Sequence, residues 1–326
     1  VLILRYDLRV PPLLDTVAAA QYAACLEQVR WGDGRFDMVV LSEHHGVDDG
    51  FMPAPVTVAA AVAGATSRIG ISLSALLVTM HDPVRLAEQL ATVDLLSGGR
   101  TNVILGTGYR QEEFDMVGLS FADRNRVLEE YLGVLRAAWT GEYFEWQGRR
   151  VRVRPLPATP GGPLLMLGGS SPAAARRAAR LRCIFSAADS DDSLAAAYYD
   201  ECEQIGFTGF AVLPPKGLAG FVHVTHDPER DWARIAPYAL HEARTYGSWQ
   251  RTGQTSAVQV HGAETADDVR ASGVYRVVTP QECIEMYRSV GALVLHPLMG
   301  GLPPEIASES LDLFANEVLP HIRPDA

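Results

Sequence analysis

Apolar positions recur along this chain with two periods, in short blocks that alternate. Leu86, Leu90 and Val93 stand at i, i+4 and i+7 between Asp82-Pro83 and Gly98, the spacing of one helix face. Asp82 is placed as an N-cap and Pro83 at the first helical position, where its missing N–H costs nothing; Gly98 can end the helix in a left-handed conformation. Residues 101–105 are apolar and partly β-branched, as in a parallel strand buried on both faces. The alternation repeats from end to end. Strands are predicted at 2–8, 36–41, 69–78, 101–105, 164–167, 183–186, 221–225 and 292–296, with helical spacing after each. Tyr22, Cys25, Leu26 and Val29 share a face behind Asp15 as cap; Leu128, Tyr131, Leu132, Leu135 and Trp139 share another behind Asp123. Thr279 and Glu282 spell a capping box before a further helix. Eight strand–helix units predict an α/β fold, a (β/α)8 TIM barrel. A doubly wound open sheet would carry a Gly-x-Gly-x-x-Gly turn after its first strand, and none follows Leu8.

Two stretches break the rhythm. From 141 to 155 the period becomes two, with Phe144, Trp146, Val151 and Val153 around Gln147-Gly148, which predicts an inserted hairpin. Residues 247–278 are polar and rich in Gly and Thr and read as a second insertion near the site. The expected organisation is one barrel domain over 1–326 carrying both insertions.

Composition narrows the function. An apolar fraction of 48% is enough for a full core, while a net charge of −11 and a pI near 5.3 argue against nucleic acid as partner, since that needs a basic stripe to displace counterions. Cys25, Cys183, Cys202 and Cys283 form no Cys-x-x-Cys pair, so a disulfide scaffold and a zinc ribbon are set aside and a cytoplasmic location is expected. The opening Val1-Leu2-Ile3-Leu4 meets Arg5 and Asp7 too soon for a signal peptide. Between Asp49 and Asp82 the one charge is Arg68, but prolines and glycines interrupt the run, so it reads as buried helix and strand, not as a membrane span.

In a barrel the C-terminal ends of the strands form the active face, which would gather Glu43, His44, His45, Ser74, Tyr109, Arg110, Ser170 and Ser171. His44 and His45 are neighbours on a strand end and point to opposite sides, so they make a poor chelating pair and no metal is expected. One histidine facing the mouth suits acid–base chemistry, with Glu43 behind it fixing its tautomer; the bland alternative is that both satisfy backbone groups. Gly168-Gly169-Ser170-Ser171-Pro172 runs from strand through glycines and hydroxyls to a helix start, which aims free N–H groups at an anion. Arg176 and Arg177 would strengthen that field. Gly106-Thr107-Gly108-Tyr109-Arg110 adds close backbone approach, a stacking ring and a bidentate donor. Together these motifs favour a phosphate-bearing ligand.

With these pieces placed, the chain resembles the bacterial luciferase-like family of flavin-dependent monooxygenases and the related coenzyme F420-dependent oxidoreductases. The resemblance runs nearly end to end, on SEHH at 42–45, Ser67-Arg68-Ile69-Gly70, DPVRLAEQLATVDLLSGGR at 82–100, GTGYRQEEF at 106–114 and LFANEVLP at 313–320. Asp82-Pro83 replaces the family's frequent His-Pro, a different cap for the same helix. The resemblance implies a barrel with insertions and a flavin or deazaflavin across the strand ends. Its phosphate would lie near Gly169, Ser170 and Ser171 and near Tyr109 and Arg110. It further implies chemistry from His44 at the reactive edge and a non-proline cis peptide at Ser74-Ala75 beneath the ring. The activity implied is oxidation of a small organic substrate by reduced FMN and oxygen, with a separate flavin reductase as partner and a homo-oligomeric state. Three alternatives stay open: hydride transfer with coenzyme F420, a non-catalytic flavin-binding protein, and a metal-free isomerase or lyase acting on a sugar phosphate.

Overall fold

The computed structural model describes residues 1–12, 14, 16–249 and 260–323. Its strands, in chain order, are β1 (Leu2–Tyr6), β2 (Met38–Leu41), β3 (Gly70–Leu77), β4 (Thr101–Gly106), β5 (Phe144–Trp146), β6 (Arg149–Val151), β7 (Leu164–Gly169), β8 (Ile184–Ala187), β9 (Ala211–Val212), β10 (Phe221–Val224), β11 (Tyr275–Val278) and β12 (Leu293–Leu295). Eight of them form a parallel sheet in the order β12-β1-β2-β3-β4-β7-β8-β9, curled as a TIM-type barrel wall with helices outside. From β1 to β9 the sheet order follows the chain order, with helices between successive strands returning the chain to the same end, and the last strand, β12, pairs with β1.

The alternation along β1 shows how the layers are built. Leu2, Leu4 and Tyr6 are fully buried and turn toward the helix Ala18–Gly32, where the Tyr6 hydroxyl meets Gln28 Oε1 at 3.1 Å. Ile3 and Arg5 face the other way, into the barrel. The helix Pro83–Ser97 begins and ends where its sequence predicts: Asp82 accepts from the backbone N–H groups of Val84 and Arg85, each at 3.0 Å, and Gly98 is left-handed at φ 65°. Trp139, at the end of the helix Arg124–Ala138, donates its indole N–H to the Ala87 carbonyl at 3.0 Å and locks two outer helices together.

The structure departs from the sequence expectation in several places. Asp123 makes no side-chain cap; a 3-10 turn, Phe121–Asp123, leads into that helix instead. The expected cap Asp15 lies outside the described residues. The strand predicted at 221–225 is not in the main sheet: β10 pairs with β11 in a separate two-stranded parallel sheet and packs alongside β12. The place at the end of the main sheet is taken by β9, whose two residues between Gly209 and Pro214 are too short to show a period. The stretch 247–278, expected as an insertion, holds in its described part the end of the helix Pro228–Trp249, the short helix Ala266–Ala271 and β11; 250–259 lie outside the described residues. Around Gln147 (φ 47°) and Gly148 (φ 69°), β5 and β6 form the predicted hairpin, as a two-residue turn with both central residues left-handed should. Among the described residues no helix is long and apolar enough to cross a membrane.

The Asp82 cap gives a direct check on these contacts. Asp82→Ala removes the acceptor of two helix N–H groups and should cost about 1 kcal/mol, read as a lower denaturation midpoint at unchanged m-value. Unchanged stability would show that water satisfies those donors equally well.

Candidate active site

A cavity of about 700 Å³ opens at the C-terminal ends of the strands. One wall is β3, where the Ser74–Ala75 peptide is cis and the register against β4 shifts between Ser74 and Leu76. Ser74 and Ala75 line the cavity, and a Cβ on Gly106 of the next strand would stand 3.0 Å from the Ala75 methyl. Glycine is what allows the two backbones to come so close here.

His44 sits at one end among aromatic rings, with Tyr246 at 6.3 Å between centroids and three others closer. Phe51, Tyr109 and Trp249 have ring centroids 4.9, 5.3 and 4.7 Å from the imidazole. Its Nδ1 lies 2.8 Å from Glu113 Oε1, and its Nε2 lies 3.1 Å from the Tyr109 hydroxyl. The same Glu113 oxygen accepts the His45 backbone N–H at 3.0 Å and faces the Arg110 guanidinium at 3.5 Å. Since that oxygen only accepts, the hydrogen between it and the imidazole belongs to Nδ1. Nε2 is then the basic atom, and Tyr109 donates to it. Burial pulls the imidazole below its ordinary pKa even though Glu113 favours the charged form, so the neutral form of His44 is favoured. Burial also pushes the Tyr109 hydroxyl well up, which keeps it a donor.

Glu43 does not fulfil its expected part. Its carboxylate reaches His45 Nε2 at 2.9 Å, His81 Nε2 at 2.8 Å and the Leu77 backbone N–H at 2.6 Å, with no contact to His44. The reason is the alternation that separates His44 from His45: Glu43 shares a side with His45 and faces away from His44. Burial would raise the Glu43 pKa, but the hydrogen bonds from His45 and His81 outweigh it and hold the group below the usual carboxylate range. Burial likewise opposes charge on His45, and Glu43 reverses the sign, leaving it raised.

The other end of the cavity carries the anion-type motif. Ser171 caps the helix Pro172–Arg180, accepting from the Ala174 N–H at 3.3 Å, and Ser170, Ser171 and Ala173 face the cavity. Gly169 belongs to the same lining; a Cβ there would lie 2.4 Å from the Ala174 methyl, so strand and helix meet without a side chain between them. Arg177 reaches the cavity from the helix, paired at 3.6 Å with Glu129, and Arg124 and Asn125 reach it from a neighbouring helix. Arg176 is exposed and not part of this lining.

Arg110 is a second correction. Its guanidinium donates to the His45 carbonyl at 2.7 Å and lies over the Trp249 ring at 4.5 Å. It is buried behind His44 and absent from the cavity lining, so it holds the wall instead of facing a ligand. Tyr109 does line the cavity, but at the histidine end.

Several lining or supporting residues have no signal in the sequence taken alone. Glu113 and Arg124, on the helices Gln111–Val117 and Arg124–Ala138, stand out only once the chain is folded, since nothing in their spacing says which groups they will face. Arg5 was within reach: it alternates with Tyr6 on β1 and shares the inward face with Ile3. Behind it lies a buried charge cluster. Arg9 pairs with Asp7 at 2.9 Å and Asp49 at 2.8 Å, and its guanidinium covers the Tyr246 ring at 4.5 Å. Asp7, Glu242 and His296 bring one ligand-type atom each within 4.8 Å of one another. Arg5 and Arg9 already supply two positive charges beside these carboxylates, which leaves little attraction for a divalent cation.

A family model described as luciferase-like monooxygenase matches residues 15–296 of the chain. Among curated relatives, an uncharacterised protein of Sinorhizobium fredii is 28% identical over 37% of this chain, and the match spans only 34% of that relative's length. The FMNH2-dependent dimethylsulfone monooxygenase of Pseudomonas putida is 27% identical over 82% of this chain and 78% of that one. Two solved structures share the fold. The oxygenating constituent of 3,6-diketocamphane monooxygenase from Pseudomonas putida, in complex with FMN, has a TM-score of 0.68 at 17% identity over 97% of each chain. An F420-dependent secondary alcohol dehydrogenase, in complex with an F420-acetone adduct, has a TM-score of 0.62 at 18% identity over 99% of this chain and 98% of that one.

The His44 contacts predict a signed titration. Its imidazole should titrate below the ordinary value of about 6.5, and Glu113→Gln should move it lower still, because Glu113 is the group that supports its charged form. Histidine NMR signals followed from pH 8 to 5 give both values. An upward shift in the Gln variant would show that Glu113 is not the partner of Nδ1.

Proposed function

The chain belongs to the luciferase-like monooxygenase family, and from that premise we propose that it oxidises a small organic substrate with reduced FMN and dioxygen. One observation carries the choice of site: a single cavity joins an anion-type helix start at Ser170 and Ser171 to a neutral, oriented imidazole at His44, along the wall formed by Ser74 and Ala75. The residues suit a flavin mononucleotide. Two hydroxyls, the first turn of a nine-residue helix and Arg177 offer donors for a phosphate dianion, and Ala75 beside Gly106 leaves a low surface for a flat ring. Similarity to the FMNH2-dependent dimethylsulfone enzyme over most of the chain supports FMN above a deazaflavin.

Bound reduced FMN supplies two electrons and the means to activate oxygen. The protein's part is to bind, orient and manage protons. Glu113 keeps the His44 proton on Nδ1, which leaves Nε2 free to take a proton directly or through the Tyr109 hydroxyl. Phe51, Tyr109 and Trp249 surround that atom and keep bulk water from it. Glu43 acts at a distance, tying the loop after β2 to the end of β3 so that the wall and the imidazole hold one geometry. We take the reduced flavin as delivered by a separate flavin reductase.

Titration of the purified protein with FMN and with coenzyme F420, followed by absorbance and fluorescence, tests the cofactor. Binding of F420 with no binding of FMN would move the protein to hydride transfer, and binding of neither would remove the flavin reading. Two variants test the residues. His44→Ala should leave FMN affinity within a few-fold and lower turnover by roughly 10²-fold or more, the scale for an acid–base group; equal loss of binding would make His44 structural. Ser170→Asp should weaken FMN by more than about 1 kcal/mol through like-charge repulsion, and unchanged affinity would place the phosphate elsewhere.

A further inference from the structure

At the end of the cavity opposite Ser170 stands a guanidinium that no step above uses. In the sheet order β1-β2-β3-β4-β7, the strand bearing Arg5 is four places from the strand that leads into Ser170. In a curled sheet that distance puts the two on facing walls. Arg5 is buried, yet it lines the cavity among the apolar side chains Ile3, Val40 and Val294. Its Nη2 donates to the Tyr246 hydroxyl at 3.1 Å. Tyr246 lines the cavity as well and is itself covered on its ring face by Arg9 at 4.5 Å. The guanidinium is therefore aimed by a side chain that cannot easily move.

The carboxylates behind Arg5 explain how a cation can be kept there. Asp7 and Glu242 both act on it electrostatically, but neither lines the cavity. Asp7 is engaged with Arg9 at 2.9 Å. The acids thus hold the arginines from the rear, and the front of Arg5 faces the cavity between the apolar side chains Ile3, Val40 and Val294, which limit competing contacts, so that a charge arriving from a ligand is felt more than in bulk water. A planar fork of N–H donors fits a planar anion with two neighbouring acceptor atoms. Two sources have that chemistry: the reduced isoalloxazine ring, whose N1–C2=O edge carries negative charge that the oxidised ring lacks, and a substrate carboxylate.

We propose that Arg5, aimed by Tyr246, binds the anionic edge of the reduced flavin ring, so that the site selects reduced over oxidised FMN. The proposal rests on the FMN reading above. A cofactor anchored by phosphate at Ser170 and laid along Ser74 and Ala75 directs its ring toward the β1 wall, which is the observation that favours the flavin over a substrate carboxylate.

Anaerobic titrations of wild type, Arg5→Met, Arg5→Lys and Tyr246→Phe with oxidised FMN and with dithionite-reduced FMN test it without turnover. Wild type should bind reduced FMN more tightly. Arg5→Met should lose at least tenfold of that preference while its affinity for oxidised FMN stays within threefold; tenfold equals about 30 mV in the potential of a two-electron couple. Arg5→Lys should keep part of the preference, and Tyr246→Phe should lose several-fold. An unchanged preference in Arg5→Met overturns the proposal; if that variant does not fold, an unchanged preference in Tyr246→Phe does so. Benzoate as a carboxylate probe separates the second source: loss of benzoate binding in Arg5→Met with the flavin preference intact would assign Arg5 to substrate and overturn the flavin role. Failure of wild type to bind either form of FMN would instead overturn the cofactor reading, and this inference with it.

Discussion

A single carboxylate oxygen, Glu113 Oε1, is where the cavity's reactive end is tied together. It takes hydrogens from His44 Nδ1 and the His45 backbone and faces Arg110, so the segment after β2 and the short helix Gln111–Val117 that follows β4 meet on one atom. A buried carboxylate is costly unless donors reach it, and Oε1 gathers its donors only when that segment and that helix are both in place, while Oε2 is buried without a hydrogen-bond partner among the described residues. The tautomer of His44, the burial of Arg110 and the direction of the Tyr109 hydroxyl all follow from it. Removing that acceptor would leave a buried imidazole N–H and a buried guanidinium short of partners at once.

Glu43 does the corresponding task on the other side of the same strand end. By accepting from Leu77, His45 and His81, it joins the loop after β2 to the end of β3, next to Ser74 and Ala75. Two carboxylates two loops apart thus brace the cavity from opposite sides of one short segment, 42–45. Both favour the charged form of the histidine they bind, and burial decides whether that is enough. His45, partly buried and beside Glu43, is shifted toward its charged form, whereas burial shifts His44 toward the neutral form despite Glu113. One sequence pair, His-His, therefore holds two imidazoles whose proton affinities are shifted in opposite directions.

Charge along the cavity is distributed with the same economy. Arginines stand at both ends, Arg177 and Arg124 near Ser170 and Arg5 near Tyr246, while the wall between them is made of small and apolar residues. The first strand and the residues just after it show how this is done with few residues: Arg5 on β1 and Asp7 and Arg9 beyond its end are buried charges, with Arg9 paired to Asp7, while Leu2, Leu4 and Tyr6 serve the core.

Periodicity by itself determined the architecture, the capped helix Pro83–Ser97, the hairpin around Gln147-Gly148 and the gathering of Glu43, His44, Tyr109 and Ser170 at one end of the strands, because each of these depends on local spacing or on which end of a strand a residue occupies. It misplaced β10 and passed over β9, since strand pairing is decided by which edges are free once the barrel curls, and two residues carry no period. Which carboxylate serves which histidine was also beyond it. Glu43 is next to His44 in the chain and Glu113 is 69 residues away, yet alternation turns the neighbour away and the short helix Gln111–Val117 brings the distant group to 2.8 Å. Arg110 shows the same limit from the other side: a loop position beside glycines marks it as close to the site, but only packing against Trp249 and His45 turns its guanidinium away from the cavity. Local order is written in near neighbours along the chain. Partner choice among buried charges is settled by the three-dimensional competition for hydrogen bonds, and that competition exists only in the folded protein.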